Sequence, residues 1–305
     1  MRERFGALLI AVVLLVACGQ QGPTESVATQ PPVSPATQPP GTATALPEQV
    51  ATEAVPEATL PPSEPTATEG ITGTEGEVDP TGLPTPPEEA ILIQVPGPGS
   101  RVTSPLHVEG MADSTFEQTL VARLVNADGV ELALVPTTIQ SELGQRGPFT
   151  VDIPFTIAGE ENAFLQIFAA SPRDGGLTHL SSIVVRLAAS GAAEILPAQP
   201  RREDITIFSP RPGETVQGGV VRVEGVARAS FEQSLMVDLV DVNGNTLARL
   251  PITVNSSEMG QPGPFAVEVP YRLAQGGPAR LVVRDPSAAF DGTVHLSSID
   301  IRLEP

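Results

Sequence analysis

The chain repeats itself at a spacing of about 115 residues, and this repeat limits its fold more than any other feature. Four short motifs of the first copy return in the same order in the second. The pairs are Val108-Glu109-Gly110 with Val223-Glu224-Gly225, Phe116-Glu117-Gln118 with Phe231-Glu232-Gln233, Gly144-Gln145-Arg146-Gly147 with Gly260-Gln261-Pro262-Gly263, and His179-Leu180-Ser181-Ser182 with His295-Leu296-Ser297-Ser298. Two modules of about 100 residues each are therefore expected, each large enough to bury its own core.

Within each copy, apolar and polar residues alternate, which is the period of a strand with one buried face. The alternating apolar residues are Phe149, Val151, Ile153, Phe155, Leu120, Ala122 and Leu124 in the first copy and Phe265, Val267, Val269, Tyr271, Leu235, Val237 and Leu239 in the second. Arg123 and Asp238 fall on the other parity, so we expect them to face solvent. The pattern predicts an all-β fold of two tandem immunoglobulin-like β-sandwiches with about seven short strands each.

Turn signals separate these runs, and the stretches without alternation set the domain limits. We expect the first sandwich at residues 91–188, a linker at 189–203 and the second sandwich at 204–305. Asp241, Asn243 and Asn245 have the spacing of a calcium loop, but the glycine is misplaced and the bidentate glutamate is lacking. We interpret this segment as a hairpin turn.

The first residues have the three zones of an export signal. Arg2 and Arg4 precede an apolar run that is too short to cross a bilayer and ends at Ala17, directly before Cys18. This arrangement resembles the lipobox of bacterial lipoproteins, in which the cysteine thiol receives a diacylglyceryl group. It predicts a signal peptide at residues 1–17 and a lipid anchor on Cys18, which would hold the chain on the cell membrane, outside the cytoplasm. The alternative is an ordinary signal peptide or membrane anchor in which Cys18 is a buried apolar residue.

Residues 18–90 carry the predicted lipidated cysteine and a segment rich in Pro, Thr and Glu. Such a segment cannot bury enough apolar surface to offset the entropy of ordering, so we expect a disordered linker. The net charge of the chain is −19, and its basic residues are all arginines. This balance argues against nucleic-acid binding, which requires a basic face.

The order of motifs in each copy is similar to a known family. Ser104-Pro105-Leu106, the Val-Glu-Gly segment, the Phe-Glu entry and a late Asp-Gly, at Asp174 and Asp291, occur in sequence. This order resembles the immunoglobulin-like domain of bacterial spore germination, over residues 91–188 and 204–303. The resemblance implies a sandwich fold and an exported lipoprotein with a link to sporulation or germination.

A hydrolytic set can be drawn around each repeated histidine. The sets are His179 with Ser181, Ser182 and Asp174, and His295 with Ser297, Ser298 and Asp291. Strand parity places His179 where a strand enters the core, which favours a histidine at the rim satisfied by backbone hydrogen bonds. A Gly-x-Ser-x-Gly elbow does not accompany the serines. We therefore predict no catalytic residue, no metal ligand and no cofactor.

The candidate contact residues lie in the repeated loops, because loops at the ends of a sandwich often carry binding function. They are Gly144, Gln145, Arg146 and Gly147 in the first copy and Gly260, Gln261, Pro262 and Gly263 in the second. Glu117 and Glu232 are candidate polar contacts, either as a structural hydrogen bond to a neighbouring loop or as a carboxylate that binds a partner. Sugar binding is disfavoured because the chain has no Trp and one Tyr.

These observations favour a non-enzymatic lipoprotein of the cell envelope that uses its paired modules for protein contact or as a spacer. Its expected partners are the membrane, through the lipid, and a protein of the envelope, with no nucleic acid or small-molecule cofactor. The alternative is an accessory subunit or enzyme that acts on the cell wall.

Overall fold

A computed structural model describes residues 84–229 and 232–305. The predicted signal peptide, Cys18 and most of the predicted linker lie outside these residues. The described part contains sixteen strands and a 3-10 turn at Phe116–Gln118. The strands are β1 (Ile91–Val95), β2 (Arg101–Val102), β3 (Leu106–Ala112), β4 (Thr119–Asn126), β5 (Glu131–Thr138), β6 (Gly147–Ile153), β7 (Glu160–Ala170), β8 (Leu177–Ala188), β9 (Ile205–Ser209), β10 (Thr215–Val216), β11 (Val220–Ala227), β12 (Ser234–Asp241), β13 (Thr246–Thr253), β14 (Gly263–Pro270), β15 (Gly277–Pro286) and β16 (Thr293–Leu303).

Each copy of the repeat forms a sandwich of two sheets. In the first module the sheet β1-β3-β6 packs on the sheet β5-β4-β7-β8, and β2 pairs parallel to β8. In the second module β9-β11-β14 packs on β13-β12-β15-β16, and β10 pairs parallel to β16. The prediction of two immunoglobulin-like sandwiches is confirmed. Each has eight strands rather than seven, because a two-residue strand such as β2 is too short to show a period.

The alternating residues form one core in each module, as predicted. Phe149, Leu120 and Leu124 are fully buried in the first core, and Leu235, Leu239 and Val269 are fully buried in the second. The repeated Val-Glu-Gly segment has a packing reason. A Cβ atom on Gly110 would lie 2.5 Å from the Phe149 ring, and one on Gly225 would lie 2.4 Å from the Phe265 ring. Only glycine leaves room for these phenylalanines.

The two modules join edge to edge through their last strands. Strands β8 and β16 pair antiparallel, with Leu180 opposite Leu296, so that the larger sheets form one continuous surface in the order β5-β4-β7-β8-β16-β15-β12-β13. Leu180 and Leu296 are equivalent positions of the repeat. When equivalent residues pair with each other, the two partners are related by a local two-fold axis, as in an isologous dimer.

The repeated serines bind across this junction in both directions. The hydroxyl of Ser182 donates to the backbone carbonyl of Val294 at 2.5 Å, and that of Ser298 donates to the carbonyl of Thr178 at 2.7 Å. These two hydrogen bonds are equivalent under the local two-fold axis. Two of the four serines in the candidate hydrolytic sets therefore help to hold the modules together.

One face of the junction is apolar. Phe168, Leu180, Val282 and Leu296 form a buried cluster that draws residues from both modules. Next to it, the almost fully buried side chains of Arg280 and Asp174 form a salt bridge of 3.0 Å between the modules. Hydrophobic contact and a charged hydrogen bond thus act together at this face.

The expectation that Asp238 faces solvent is wrong. Its side chain is buried between Arg249 and Arg284, with the Arg284 Nε 2.9 Å from its carboxylate. Its counterpart Arg123 is half-buried and donates to the Gln166 side chain while its guanidinium lies over the Phe168 ring. Side chains from neighbouring strands of the same module therefore cover part of each outer sheet face, which alternation along one strand does not reveal.

Among the described residues, no helix has the length and apolar character needed to cross a bilayer.

Candidate functional site at the module junction

The polar face of the junction gathers four repeated ionisable residues. Glu89 lies two residues before the first module's opening strand, and Glu203 holds the same place in the second. His179 lies on β8 and His295 on β16, one residue to either side of the central leucine pair. Leucine side chains point to one face of the joined sheet, so the histidines, one residue removed, point to the other.

The four side chains are close enough to act on one ligand. His295 Nε2 lies 3.0 Å from Glu203 Oε1 and 3.6 Å from Glu89 Oε1. His179 Nε2 lies 3.5 Å from the same oxygen of Glu203 and 3.7 Å from that of Glu89. One ligand atom from each residue can be chosen so that all four lie within 4.8 Å of one another. Nitrogen and oxygen donors in this number suit a transition-metal cation.

The two glutamates differ sharply in their hydrogen bonds. Glu203 Oε2 accepts the backbone N–H of Ala90 at 2.9 Å, and its Oε1 accepts from His295 and from the Ser297 hydroxyl. Glu89 is fully buried, yet neither of its carboxylate oxygens accepts a hydrogen bond from the described residues. The Nε2 atom of His179 and the Nδ1 atom of His295 also lack a hydrogen-bond partner there. The cluster therefore has unused donor and acceptor capacity at its centre.

The charges of the cluster are tightly coupled. Burial by itself lowers the pKa of His295, but the nearby carboxylates of Glu89, Glu203 and Asp204 outweigh it and raise the pKa to about 9. Burial by itself raises the pKa of Glu203, but the hydrogen bond from His295 and the two imidazoles lower it to about 2. A positive charge is thus strongly favoured between the glutamates.

The predicted rim histidine satisfied by backbone hydrogen bonds does not match this arrangement. His179 instead faces two carboxylates, with no hydrogen bond to its Nε2 within the described part of the chain. The residues of the hydrolytic set are also engaged elsewhere. Asp174 binds Arg280, and Ser297 donates to Glu203. Among the described residues, no hydrogen bond or ion pair joins Asp174 to His179, so these two side chains are not arranged as in a triad.

Two grooves of about 310 and 360 Å³ flank the cluster at places related by the local two-fold axis. His179 lines the first, together with Ala90, Asp113 and Thr178. His295 lines the second, together with Asp204, Arg228 and Val294. Each groove offers a small ion or molecule a route from solvent to a histidine.

The predicted contact loops lie at equivalent places in the two modules. Gly144, Gln145 and Gln261 are exposed, and Gly260 is half-buried. The residue before each loop is a large apolar side chain left in solvent, with Leu143 74% and Met259 67% exposed. Gly147 and Gly263 are buried and are the first residues of β6 and β14. Pro262 is exposed in the second loop, whereas Arg146 binds Asp113 and Glu88.

Glu117 and Glu232 are exposed and stand in left-handed backbone conformation, with φ values of 52° and 48°. The hydrogen bonds to the neighbouring loop belong to the next residue. The Gln118 side-chain amide donates to the backbone carbonyls of Glu142 and Gln145 at 2.9 and 3.0 Å. Sequence reasoning therefore found the right turn but assigned the structural contact to the wrong side chain of the Phe-Glu-Gln motif.

Sequence reasoning missed Glu89 and Glu203 because it assigned them to the linkers. A signal was nevertheless present. Each module begins with a glutamate two residues before its first buried isoleucine, Ile91 or Ile205, and ends with a histidine on its last strand. Four residues with metal-binding side chains, related by the repeat, indicate a shared site once the strands β8 and β16 are known to pair.

Comparisons with solved structures find similarities at low sequence identity. Solved structures that resemble the chain include red sea bream transglutaminase (10% identity, TM-score 0.27, covering 70% of this chain and 31% of that one). Another is dimeric latent PorU from Porphyromonas gingivalis, at 10% identity and a TM-score of 0.21, with 70% of this chain and 24% of that chain covered. A third is a chimeric titin Z1Z2-Z1Z2 tandem, at 13% identity and a TM-score of 0.21, with 70% of this chain and 98% of that chain covered. The chain therefore spans less than a third of each of the first two proteins.

No curated protein matches the chain. A family model does, in two places: the model of the immunoglobulin-like domain of bacterial spore germination matches residues 90–176 and 204–293. These two stretches together make up more than half of the chain, and each covers one sandwich up to the start of its last strand, β8 or β16. The chain belongs to this family and carries two copies of its domain.

Proposed function

We propose that this chain is a lipoprotein, anchored outside the cytoplasm through Cys18, that presents its two modules as one rigid, non-enzymatic protein-binding element of the cell envelope. The observation that carries the proposal is the joined sheet at the junction. Domains that move relative to each other typically share a small, polar interface. Here the modules share strand pairing, an apolar cluster and a buried salt bridge.

The exposed apolar side chains of the repeated loops support the binding part of this proposal. Leu143 and Met259 occupy equivalent loop positions in solvent. A partner that covers these loops would bury both apolar side chains, and removal of apolar surface from water favours association. The paired modules therefore offer two related contact points at a fixed separation.

The state of the serines and histidines supports the non-enzymatic part. Ser182 and Ser298 donate to backbone carbonyls across the junction, and Ser297 donates to a carboxylate. A nucleophilic serine would instead donate to a basic imidazole. The family description adds sporulation or germination as the setting in which such an element would act.

The anchor is tested on the full-length chain expressed with its own N-terminus. We expect the wild-type protein in the membrane fraction with a lipid mass on Cys18, and the Cys18→Ser variant released from the membrane. Mass spectrometry that found Cys18 unmodified in the membrane-bound protein would contradict the anchor.

The contact loops are tested by cross-linking on intact cells. We expect an envelope protein to be cross-linked to the wild-type chain and to be lost with the double variant Leu143→Ser and Met259→Ser. The matched control is Leu134→Ser, which alters an exposed leucine of β5 away from these loops. A cross-linked partner that survives the loop variant and disappears with the control would contradict this surface. Release of wall fragments by the purified chain would instead favour an enzyme.

A further inference from the structure

The polar face of the junction contains a buried carboxylate that protein groups leave unsatisfied. Glu89 is fully buried, and both of its oxygens lack a hydrogen-bond donor among the described residues. A buried carboxylate that accepts no hydrogen bond is costly, and native proteins satisfy such a group or use it to bind a metal. Glu89 Oε1 lies 3.6 and 3.7 Å from the two histidine Nε2 atoms, close to both but hydrogen-bonded to neither.

We propose that one divalent transition-metal cation, such as Zn²⁺, binds between the two modules. Its ligands are Glu89, His179, Glu203 and His295. Each module contributes one glutamate oxygen and one histidine nitrogen. The site goes beyond the proposed envelope role and depends neither on the lipid anchor nor on a protein partner.

The distances fit tetrahedral coordination. Bonds of 2.0–2.1 Å to nitrogen and oxygen place neighbouring ligand atoms about 3.3 Å apart around zinc. The four histidine–glutamate separations are 3.0, 3.5, 3.6 and 3.7 Å. All four ligand atoms lie within 4.8 Å of one another. Binding therefore requires three of these separations to shorten slightly and the 3.0 Å separation to lengthen slightly.

The ligand types select the class of cation. Calcium takes six to eight oxygens and magnesium prefers oxygen ligands and water, whereas this site offers two imidazole nitrogens and two carboxylates. Four protein ligands also correspond to a closed, structural zinc site, since catalytic zinc keeps a position open for water. With neutral imidazoles the cluster carries two negative charges, which a divalent cation balances.

The surroundings orient the ligands as in known zinc sites, where a second layer of hydrogen bonds fixes each ligand. Ala90 N–H and the Ser297 hydroxyl hold the Glu203 carboxylate. Asp204 Oδ2 lies 3.9 Å from the otherwise unpartnered Nδ1 of His295. That oxygen already accepts from the Arg201 guanidinium, so it acts on the imidazole through its charge rather than through a hydrogen bond.

Such a metal would act as a clamp. Its ligands come from β8 and β16 and from the segments that precede β1 and β9. One ion would therefore link the two modules to each other and would fix the segment before the first strand of each. The groove beside His179 provides the route of entry.

The test uses the purified full-length chain, stripped with a chelator and titrated with Zn²⁺ against a chromophoric competitor. We expect one ion per chain. We expect His179→Ala and Glu89→Gln each to weaken binding by about 100-fold or more, because even changes outside the ligand set cost 10–100-fold. Co²⁺ should give the visible spectrum of a tetrahedral site in the wild type and lose it in both variants.

The matched control is His107→Ala. His107 is also close to two carboxylates, Glu109 and Asp152, but it is exposed on the surface of the first module. Zinc affinity should not change in this variant. The proposal is overturned if the wild type binds no zinc, if Glu89→Gln binds as tightly as the wild type, or if His107→Ala removes the binding. Circular dichroism in chelator shows whether His179→Ala is folded. If it is not folded, the zinc affinity of the near-isosteric Glu89→Gln variant tests the proposal.

Discussion

The two faces of the junction use the same pair of strands in opposite ways. On one face, Leu180 and Leu296 pack with Phe168 and Val282 in a closed apolar cluster. On the other face, one residue away along each strand, carboxylates and imidazoles crowd together and leave buried atoms unsatisfied. The apolar face needs no further partner, whereas the polar face does. The difference indicates that the first stabilises the paired modules and that the second is available to bind.

The largest effect is expected at the buried salt bridge beside the apolar face. Arg280→Ala leaves the Asp174 carboxylate buried without its cation, which should lower the free energy of unfolding by about 4 kcal/mol. Chemical denaturation at pH 7 measures this loss. A loss below about 1 kcal/mol would mean that the bridge does not hold the modules together.

The same variant should change the acid response. Burial raises the pKa of Asp174, but hydrogen bonds from Ser171, Arg280 and Gly176 outweigh it and hold the pKa below its ordinary value of 3.8. The stability that this carboxylate contributes is therefore fully present above pH 3.8 and is lost as the pH falls through the lowered pKa. The difference between wild type and Arg280→Ala should shrink in that acidic range.

A somewhat smaller effect is expected from the apolar cluster itself. Leu180→Ala should lower the free energy of unfolding by about 3 kcal/mol, because it removes a fully buried side chain and leaves a cavity. The equivalent Leu296→Ala should have a similar effect if the local two-fold axis holds. Val184→Ala, at an exposed position farther along the same strand, is the control and should change stability by less than about 0.5 kcal/mol. Unequal losses for the two leucines would break the symmetry argument.

The two glutamates of the polar face should respond unequally in metal-free protein. Glu203→Gln disturbs three hydrogen bonds and should cost about 2 kcal/mol. Glu89→Gln disturbs none and should cost clearly less. Denaturation curves of both variants in chelator measure the difference. Equal costs would contradict the inference that Glu89 is unsatisfied.

The smallest effect is expected at His107, the exposed counterpart of the buried histidines. Hydrogen bonds with Asp152 and Glu109 raise its pKa above 6.5. The resulting stability is fully present below pH 6.5 and is lost as the pH rises through the raised pKa. His107→Gln should cost less than about 1 kcal/mol in weakly acidic solution, because solvent screens the pair, and nothing at high pH. NMR titration of the imidazole checks the direction of the shift.

The sequence predicted the interior of each module but not their junction. Alternation in one strand identifies the face that meets the other sheet of the same sandwich, so Phe149 and Leu235 were assigned correctly. It carries no information about what covers the second face. Asp238 was therefore expected in solvent, although arginine side chains bury it.

The candidate site illustrates the same limit more strongly. Both histidines were noticed as repeats, but each was judged within its own module. Glu89 was assigned to a linker because its neighbours are prolines and acids. The four residues meet only because β8 and β16 pair at equivalent leucines, and pairing between sheet edges depends on how whole modules dock.

The central claim, that the two modules form one rigid unit, is tested most directly by a distance measurement between them. Spin labels are placed on cysteines introduced at Leu134 and Val242, exposed residues in the first and second modules, in a full-length Cys18→Ser background. Pulsed electron paramagnetic resonance should give a single narrow distance distribution, which should broaden when Leu180 and Leu296 are both changed to Asp. A broad or multiple distribution in the otherwise unaltered chain would contradict the rigid junction.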